Sequence, residues 1–595
     1  MAEHATGRKT IPGNLLLVLL IGLPALSYPL SWLPKSWAHF RYDCTLPLPE
    51  MVLAAGLFAS IGLLLRPSAR AETVEGTAVA FLPCAAILPL LAVVLSAVAS
   101  TRFSEHPQFG LGFLPRLAGN LAIFLLAARA PKDRLPELCR WWIFAAVIVA
   151  GNGLLRLGSE PEFISTLGNW DFLGTYLAAS LAIMISCGGR WSVLASLIVI
   201  GAMCFCRSRG AWLALGAVSL LSFLSFRNRF FQRWQTRAVV VVVVFAGAAL
   251  LARSYVQRQW RTDVRPVIWK ATLDMIAARP LLGHGLGTYV VAYPKYRLPE
   301  YFLRPKATNV TDHAHNELLE IAAEQGLIGL AATLWLWATA VSCGFRASRR
   351  LDGADRRCLW GMFGAMLVLM LHGLVDVDLR YLPNQSLLWL SMGLVVGADA
   401  APSCWRRITI YPRPVRWCAA GVCLIFGVWI TVADVLRPVS ADLQDRQARI
   451  AEERGDLPAA VQHSWNALHL DPFRLRTRYL LAGALSRLPE PEAQEMAIGQ
   501  CQRIEELAPD YADVTYNLGQ LLRLASHPAE AVTYLRRAVE INPNNVERRI
   551  ALAAALHELG QNDEALQQLD RVLQLQPHNP EAWDLRQKMQ AEPRL

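Results

Sequence analysis

The sequence predicts an all-α protein in two parts: a polytopic transmembrane helix bundle of about 12–13 spans, followed by a helical solenoid. Three observations carry this prediction. Apolar runs recur through the first 436 residues, and a bilayer span needs about 20 mostly apolar residues. Charge is divided along the chain: residues 441–595 hold 17 Lys and Arg against 23 Asp and Glu, a balance of −6, so the remainder of this +11 chain carries +17. Finally, Pro509, Pro543 and Pro577 are each separated by 34 residues. The 595-residue length exceeds one ordinary core, and 18% charged residues is below the roughly 25% of soluble domains. This division excludes a single soluble fold and leaves no uniform basic surface, so nucleic acid is not an expected partner.

The spans read as roughly 11–33, 47–65, 77–99, 111–128, 141–157, 171–187, 191–206, 210–226, 238–252, 326–344, 358–376, 385–401 and 417–436. The first follows Arg8 and Lys9 and has no small-residue cleavage site, which makes it a retained anchor. With the N-terminus cytoplasmic, the inner connections carry 22 Lys and Arg and the short outer ones seven. Positive charge favours the cytoplasmic side, so this asymmetry sets the orientation. The odd span count then puts the solenoid outside the cytoplasmic (inner) membrane. Residues 1–436 are the membrane domain and 437–595 the repeat domain.

One outer connection, 253–325, is long enough to carry function. A helix is expected over Arg265 to Ala278, then turn residues Pro280, Gly283, Gly285 and Gly287, then a second helix from near Asn316 through Glu324. In the tail, Ala497, Ala531 and Ala565 share the register of the prolines. Small residues at that period suit the crossing of two helices, and the pattern resembles the tetratricopeptide repeat. Such repeats bind peptides and proteins on a concave face, so a protein or peptide partner is expected. The 12 cysteines are scattered, form no CxxC pair, and suggest neither a disulfide framework nor a zinc ribbon. Many lie in apolar runs, where Cys acts as a small hydrophobe.

Chemistry concentrates on the outer side. His313 and His315 precede the second loop helix, and histidine is the side chain best matched to general-base work near neutral pH. Asp312 or Asn316 is placed to cap that helix. The His-x-His spacing also suits a metal, with Glu317 or Glu320 adding a carboxylate, but the HExxH pattern and a third nearby histidine are lacking, so no metal site is expected. Arg207 and Arg209 lie in a very short outer turn and Arg265 opens the first loop helix, where guanidiniums suit a phosphate-rich ligand or snorkel to lipid head groups. Arg116 sits inside a span, which makes it a functional candidate. Gly168-Asn169-Trp170-Asp171 and the pair His372 and Asp376 are further outer features.

These segments resemble the O-antigen ligase and O-antigen polymerase family. His315-Asn316-Glu317-Leu318-Leu319-Glu320, followed by Glu324-Gln325-Gly326-Leu327-Ile328-Gly329-Leu330, looks like its signature. Ser208-Arg209-Gly210-Ala211 is similar to its Ser-Arg-Gly turn, and Arg265 to Trp269 with Pro280 to Gly287 resembles its outer-loop helix and glycine turn. Leu167-Gly168-Asn169-Trp170-Asp171 resembles a Gly-Asn-Pro-Asn element but departs from it at Trp170 and Asp171. The resemblance covers roughly residues 150–400. It implies a glycosyltransferase that moves glycan from an undecaprenyl diphosphate carrier to a glycan, lipid A-type or protein acceptor at the outer membrane face. It favours His315 as the base, with Asn316 or His313 orienting, although spacing alone does not separate the two histidines. Arg209, Arg265 and Arg207 would meet the diphosphate. The donor carries the driving force, so no cofactor is required. Polymerase, ligase and protein O-oligosaccharyltransferase would share this donor site. A lipid-linked glycan transporter or flippase is the alternative that thirteen spans and Arg116 allow, and a scaffold acting through its repeats is another.

Overall fold

In the computed structural model of the chain, the described residues are 21, 78–157, 165–167, 169–225, 263–304, 307, 310–399, 405–410, 428 and 431–591. They begin with strand β1 (Ala78–Pro83) and helices α1 (Cys84–Arg102), α2 (Leu114–Ala128), α3 (Leu135–Leu155), α4 (Trp170–Cys187), α5 (Arg190–Phe205) and α6 (Arg209–Ser225). Helices α7 (Arg265–Ala278), α8 (Glu317–Arg350), α9 (Gly353–His372) and α10 (Leu382–Asp399) follow, then strand β2 (Trp405–Ile410). The tail comprises α11 (Arg437–Glu453), α12 (Leu457–Leu470), α13 (Leu475–Leu485), α14 (Pro491–Leu507), α15 (Val514–Leu524), α16 (Pro528–Ile541), α17 (Val546–Glu558), α18 (Asn562–Leu575) and α19 (Pro580–Ala591).

The class is helical, as expected. The addition is one antiparallel ribbon, β1 with β2 in the register Ala78 to Ile410, so the expected span at 77–99 starts as a strand and becomes helical at Cys84. Nine of the thirteen expected spans fall on α1–α6 and α8–α10; those at 11–33, 47–65 and 238–252 lie almost wholly outside the described residues, and of 417–436 only 428 and 431–436 are described. By length and composition, five helical segments among the described residues can cross a membrane: Ala85–Arg102, Pro107–Ala128, Lys132–Leu155, Trp170–Cys187 and Glu317–Arg350. The chain is therefore a multi-pass membrane protein.

Two compact units form. The first takes residues through Arg258, the short segment Leu281–Leu286, and His315–Val439; the second takes Gln259–Pro280, Gly287–Ala314 and Ser440 onward. The long connection 253–325 is thus shared out, and its larger part belongs with the repeats.

In the first unit α9 is the central helix, packed on α4, α6, α3 and α10, while α10 also lies on α2 and α8 lies on α1. Small residues allow the close crossings that helices need in lipid, where apolar side chains gain nothing by leaving the solvent. A Cβ on Gly393 or Gly397 would lie 2.4 and 2.1 Å from the backbone oxygens of Phe124 and Ala128, so only glycine lets α10 reach α2. Gly361 and Gly364 play the same part where α9 meets Ile183 and Ala182 of α4. Outward positions such as Leu88, Leu95, Phe144, Trp191 and Leu197 are exposed, as lipid-facing residues are.

In the second unit the tail helices α12–α19 pack as successive neighbours. Ala460, Ala497, Ala531 and Ala565 are all buried, and Gly519 leaves room for Leu535. The loop segment docks into the same unit. Thr272 of α7 and Tyr289 share a 2.7 Å hydroxyl contact, and the Arg297 guanidinium lies 5.6 to 5.7 Å from the rings of Tyr293, Tyr301 and Phe302. Arg548 of α17 covers the Phe302 ring at 5.9 Å, joining loop to repeats by a cation–π contact.

Candidate functional site

The site is built around the turn after α9. Helix α8 begins at an N-cap: Asn316 has extended φ/ψ and its Oδ1 accepts from the Leu319 N–H at 3.0 Å. Its Nδ2 donates to the Leu374 carbonyl at 2.7 Å, and the Glu317 N–H donates to the Gly373 carbonyl at 2.7 Å, which fastens the helix start to the α9 turn. Of the two expected caps, Asn316 does the capping. Just before it, His315 has φ 51°, a left-handed conformation that a non-glycine residue adopts at a cost of about 1–3 kcal/mol. That conformation turns the imidazole to Asp376, with Nδ1 3.2 Å from Oδ1. His315 is 36% exposed and Asp376 6%. An ionised carboxylate only accepts hydrogen bonds, so Nδ1 carries the proton and Nε2 is left as the basic nitrogen.

The Ser208-Arg209-Gly210 turn reaches the same segment from the other side. Ser208 Oγ lies 3.2 Å from His372 Nε2, and His372 Nδ1 lies 2.8 Å from Asp378 Oδ1; all three residues are fully buried. A Cβ on Gly210 would come within 2.8 Å of His372 Nε2, so the glycine lets the turn seat on that histidine. Arg209, exposed at the first position of α6, is aimed by this buried contact. Arg209 and His315 are therefore anchored to one short stretch, 372–378.

A second network, which sequence reasoning missed, stiffens the stretch. Arg380 lies 3.2 Å from Glu317, 3.5 Å from Glu320 and 2.8 Å from Glu324. Burial opposes its charge, yet the three carboxylates hold the guanidinium pKa well above its ordinary value. The signal was present: Glu317, Glu320 and Glu324 at i, i+3 and i+7 share one helix face. These carboxylates are thus committed to Arg380 rather than to a metal beside the histidines. Beyond Glu324, helix α8 kinks at Gly326, with φ 68°. The carbonyls released there accept from the N–H groups of His284 (2.9 Å) and Gly285 (2.8 Å), which explains the glycine turn. A Cβ on Gly326 would sit 2.1 Å from the Leu281 oxygen.

The remaining expected residues fall elsewhere. Arg116 lies over the Phe113 ring at 5.2 Å and lines a cavity with Asn120, Glu317, Gln325, Arg380 and Trp389, close behind the Arg380 network. Arg207 is exposed in the turn before α6. Arg265 opens α7 in the second unit, its N–H donating to Asp263 at 3.0 Å. His313 is half-buried in the same unit, where Trp269 Nε1 donates to the Ala314 carbonyl at 2.9 Å. Asn169 caps α4 by accepting from the Asp171 N–H, while Gly168 is outside the described residues. Among the described residues, the groups that bring three metal-ligand atoms together are Asp171, His372 and Asp376, and Cys139, Cys187 and Cys358. Neither includes His313 or His315.

Residues 194–334 match the family model for O-antigen ligase. This segment is therefore similar to the O-antigen ligase family. The match contains the Ser-Arg-Gly turn, α7, both loop histidines and Asn316, while His372, Asp376 and Arg380 lie beyond it. Residues 522–589 match the tetratricopeptide repeat. No curated protein matches the chain. Among solved structures, it is similar to YrrB, a TPR protein with an unusual peptide-binding site, at 26% identity over 24% of this chain and 73% of that one, TM-score 0.23. It is also similar to a thermophilic TPR protein of Thermus thermophilus (22% identity, 30% and 90% covered, TM-score 0.21) and to MamA (20%, 30% and 99%, TM-score 0.22).

Proposed function

We propose that this protein transfers glycan from an undecaprenyl-diphosphate-linked oligosaccharide to an acceptor hydroxyl at the outer face of the inner membrane. The observation that carries the proposal is the half-exposed His315 held by Asp376, on the same segment that anchors the Arg209 turn. His315 Nε2 accepts the proton of the acceptor hydroxyl, and its oxygen attacks the anomeric carbon. The bond from that carbon to the diphosphate oxygen breaks, and the leaving diphosphate takes the electron pair. Arg209 stabilises the growing charge, which preorganised donors do at several kcal/mol in a dry site. Arg265, Arg207 and Arg116 are the further cations proposed for the donor, and His313 is the alternative base. Direct displacement inverts the anomeric centre. No cofactor takes part.

Polysaccharide polymerisation is the favoured variant, with the N-terminus cytoplasmic and the repeats periplasmic, holding a protein or peptide partner. The test is transfer by purified protein from a lipid diphosphate oligosaccharide. His315→Ala and Arg209→Ala should lose transfer while remaining folded. Transfer by His315→Ala at the wild-type rate, or carrier translocation with no new glycosidic bond, overturns the proposal.

A further inference from the structure

At the opposite end of the first unit lies a cluster that the transfer reaction does not use. Cys139 near the start of α3, Cys187 at the end of α4 and Cys358 near the start of α9 bring their Sγ atoms within 4.8 Å of one another. The Cys187 and Cys358 sulfurs are 3.7 Å apart, and Cys139 Sγ lies 3.7 Å from the Cys358 carbonyl oxygen. Along α4 from Asp171, and along α9 back from His372, the cluster is about 20–24 Å from the His315 end at 1.5 Å per residue. That is most of the roughly 30 Å depth of a bilayer core, at the end where Arg140 follows Cys139, Arg357 precedes Cys358 and Arg190 lies three residues after Cys187.

We propose that Cys139, Cys187 and Cys358 form a three-thiolate site for a soft cation of the Zn(II) or Cu(I) class. Thiolate–metal bonds of about 2.3 Å in a planar three-sulfur site space the sulfurs about 4 Å apart, which the observed separations match. Sulfur ligands select zinc or copper(I) over magnesium or calcium, whose ligands are oxygens. Each thiol gives up its proton on binding, and the neighbouring arginines offset the negative charge that three thiolates bring. Cys139 and Cys358 are buried, whereas Cys187 is half-buried before the turn Gly188-Gly189, so the ion enters past Cys187. Isolated core cysteines serve as small hydrophobes. Among the described residues Cys206, Cys343 and Cys501 are buried and fit that role, Cys204 is exposed, and none of the four joins such a group. Three thiols from three different helices converging on one point do not need that arrangement for packing.

The experiment uses full-length protein in detergent, reduced and then freed of reductant without oxygen, titrated with Cd(II). A thiolate-to-cadmium charge-transfer band should saturate at one ion per chain. Cys187→Ser and Cys358→Ser should weaken binding at least tenfold, and Cys204→Ser and Cys343→Ser should leave it unchanged. Zn(II) should also raise the melting temperature of the wild type but not of Cys187→Ser, the half-buried position least needed for packing. The absence of a saturable band, a band that Cys187→Ser leaves intact, equal loss in Cys204→Ser, or an equal rise in melting temperature for both proteins overturns the site.

Discussion

Replacing Asp376 with Asn isolates the charge that orients His315. Asn keeps the shape of the side chain and an oxygen that accepts the Val377 N–H, which Asp376 Oδ1 now does at 2.8 Å. What is lost is the negative charge facing the imidazole, which takes a proton in the proposed reaction. For unit charges 3.2 Å apart the attraction is about 1.3 kcal/mol in water and about 5 kcal/mol at an effective dielectric of 20. His315 is 36% exposed, so solvent screens part of the larger value. A loss of about 2–3 kcal/mol of transition-state stabilisation is expected, or about 30- to 150-fold in rate. Glycan transfer should be followed as kcat and KM from a lipid diphosphate donor, with thermal melting as the folding control. The fall should appear in kcat with KM nearly unchanged, because the imidazole charge develops only during the reaction. A wild-type kcat in folded Asp376→Asn, or a loss confined to KM, would refute the assignment of His315 and Asp376 as a working pair.

Other perturbations test the supports of the site. Gly210→Ala places a methyl 2.8 Å from His372 Nε2 and 2.9 Å from Val375, so a cost of about 1–3 kcal/mol and a loss of transfer through the displaced Arg209 should appear in melting and rate measurements. Arg380→Met leaves Glu317, Glu320 and Glu324 buried without their cation and should destabilise the membrane unit by about 3–5 kcal/mol in detergent unfolding. In the repeats, burial first and Asp510 second raise the Glu505 pKa above its ordinary 4.5. The folded state then holds that proton more tightly than the unfolded chain. Stability should fall as pH rises from 4.5 through the folded pKa, and melting of Glu505→Gln across that window should lose this component of the slope.

What could be read from the sequence was local. The ends of α7, the Asn316 cap and the buried alanines every 34 residues are all written in short-range patterns, and the structure places them where those patterns point. What escaped depends on partners far apart in the chain. The β1–β2 ribbon pairs Ala78 with Ile410, and neither segment alternates apolar and polar residues in a way that separates it from the start or end of a span. Gly283 and Gly326 each carried a turn signal, but only the fold shows that the two turns lie against each other, with the Glu324 backbone 2.4 Å from a Cβ at Gly283. Arg380 counted in the sequence as one outer charge among seven. Its three carboxylate partners lay 56 to 63 residues upstream, beyond any periodic pattern.

The segment after α9 holds two His–Asp pairs, and their surroundings separate their roles. His372 is fully buried, with both ring nitrogens engaged, one by Ser208 and the other by Asp378. An imidazole with no open nitrogen and no solvent cannot take a proton from a substrate hydroxyl, and a metal on the Asp171, His372 and Asp376 group would first have to displace one of these contacts. Its work is to seat the Ser-Arg-Gly turn and so to aim Arg209. His315 has the complementary arrangement: one nitrogen held by Asp376, a third of its surface open, and a backbone held in a costly conformation by the Asn316 cap that follows. Substitution should therefore split the two histidines by observable. His372→Gln should lower melting temperature and transfer together, whereas His315→Gln should abolish transfer while melting stays near the wild type. If His372→Gln kept full stability and lost only kcat, the buried pair would be the chemical one and the roles assigned here would be reversed.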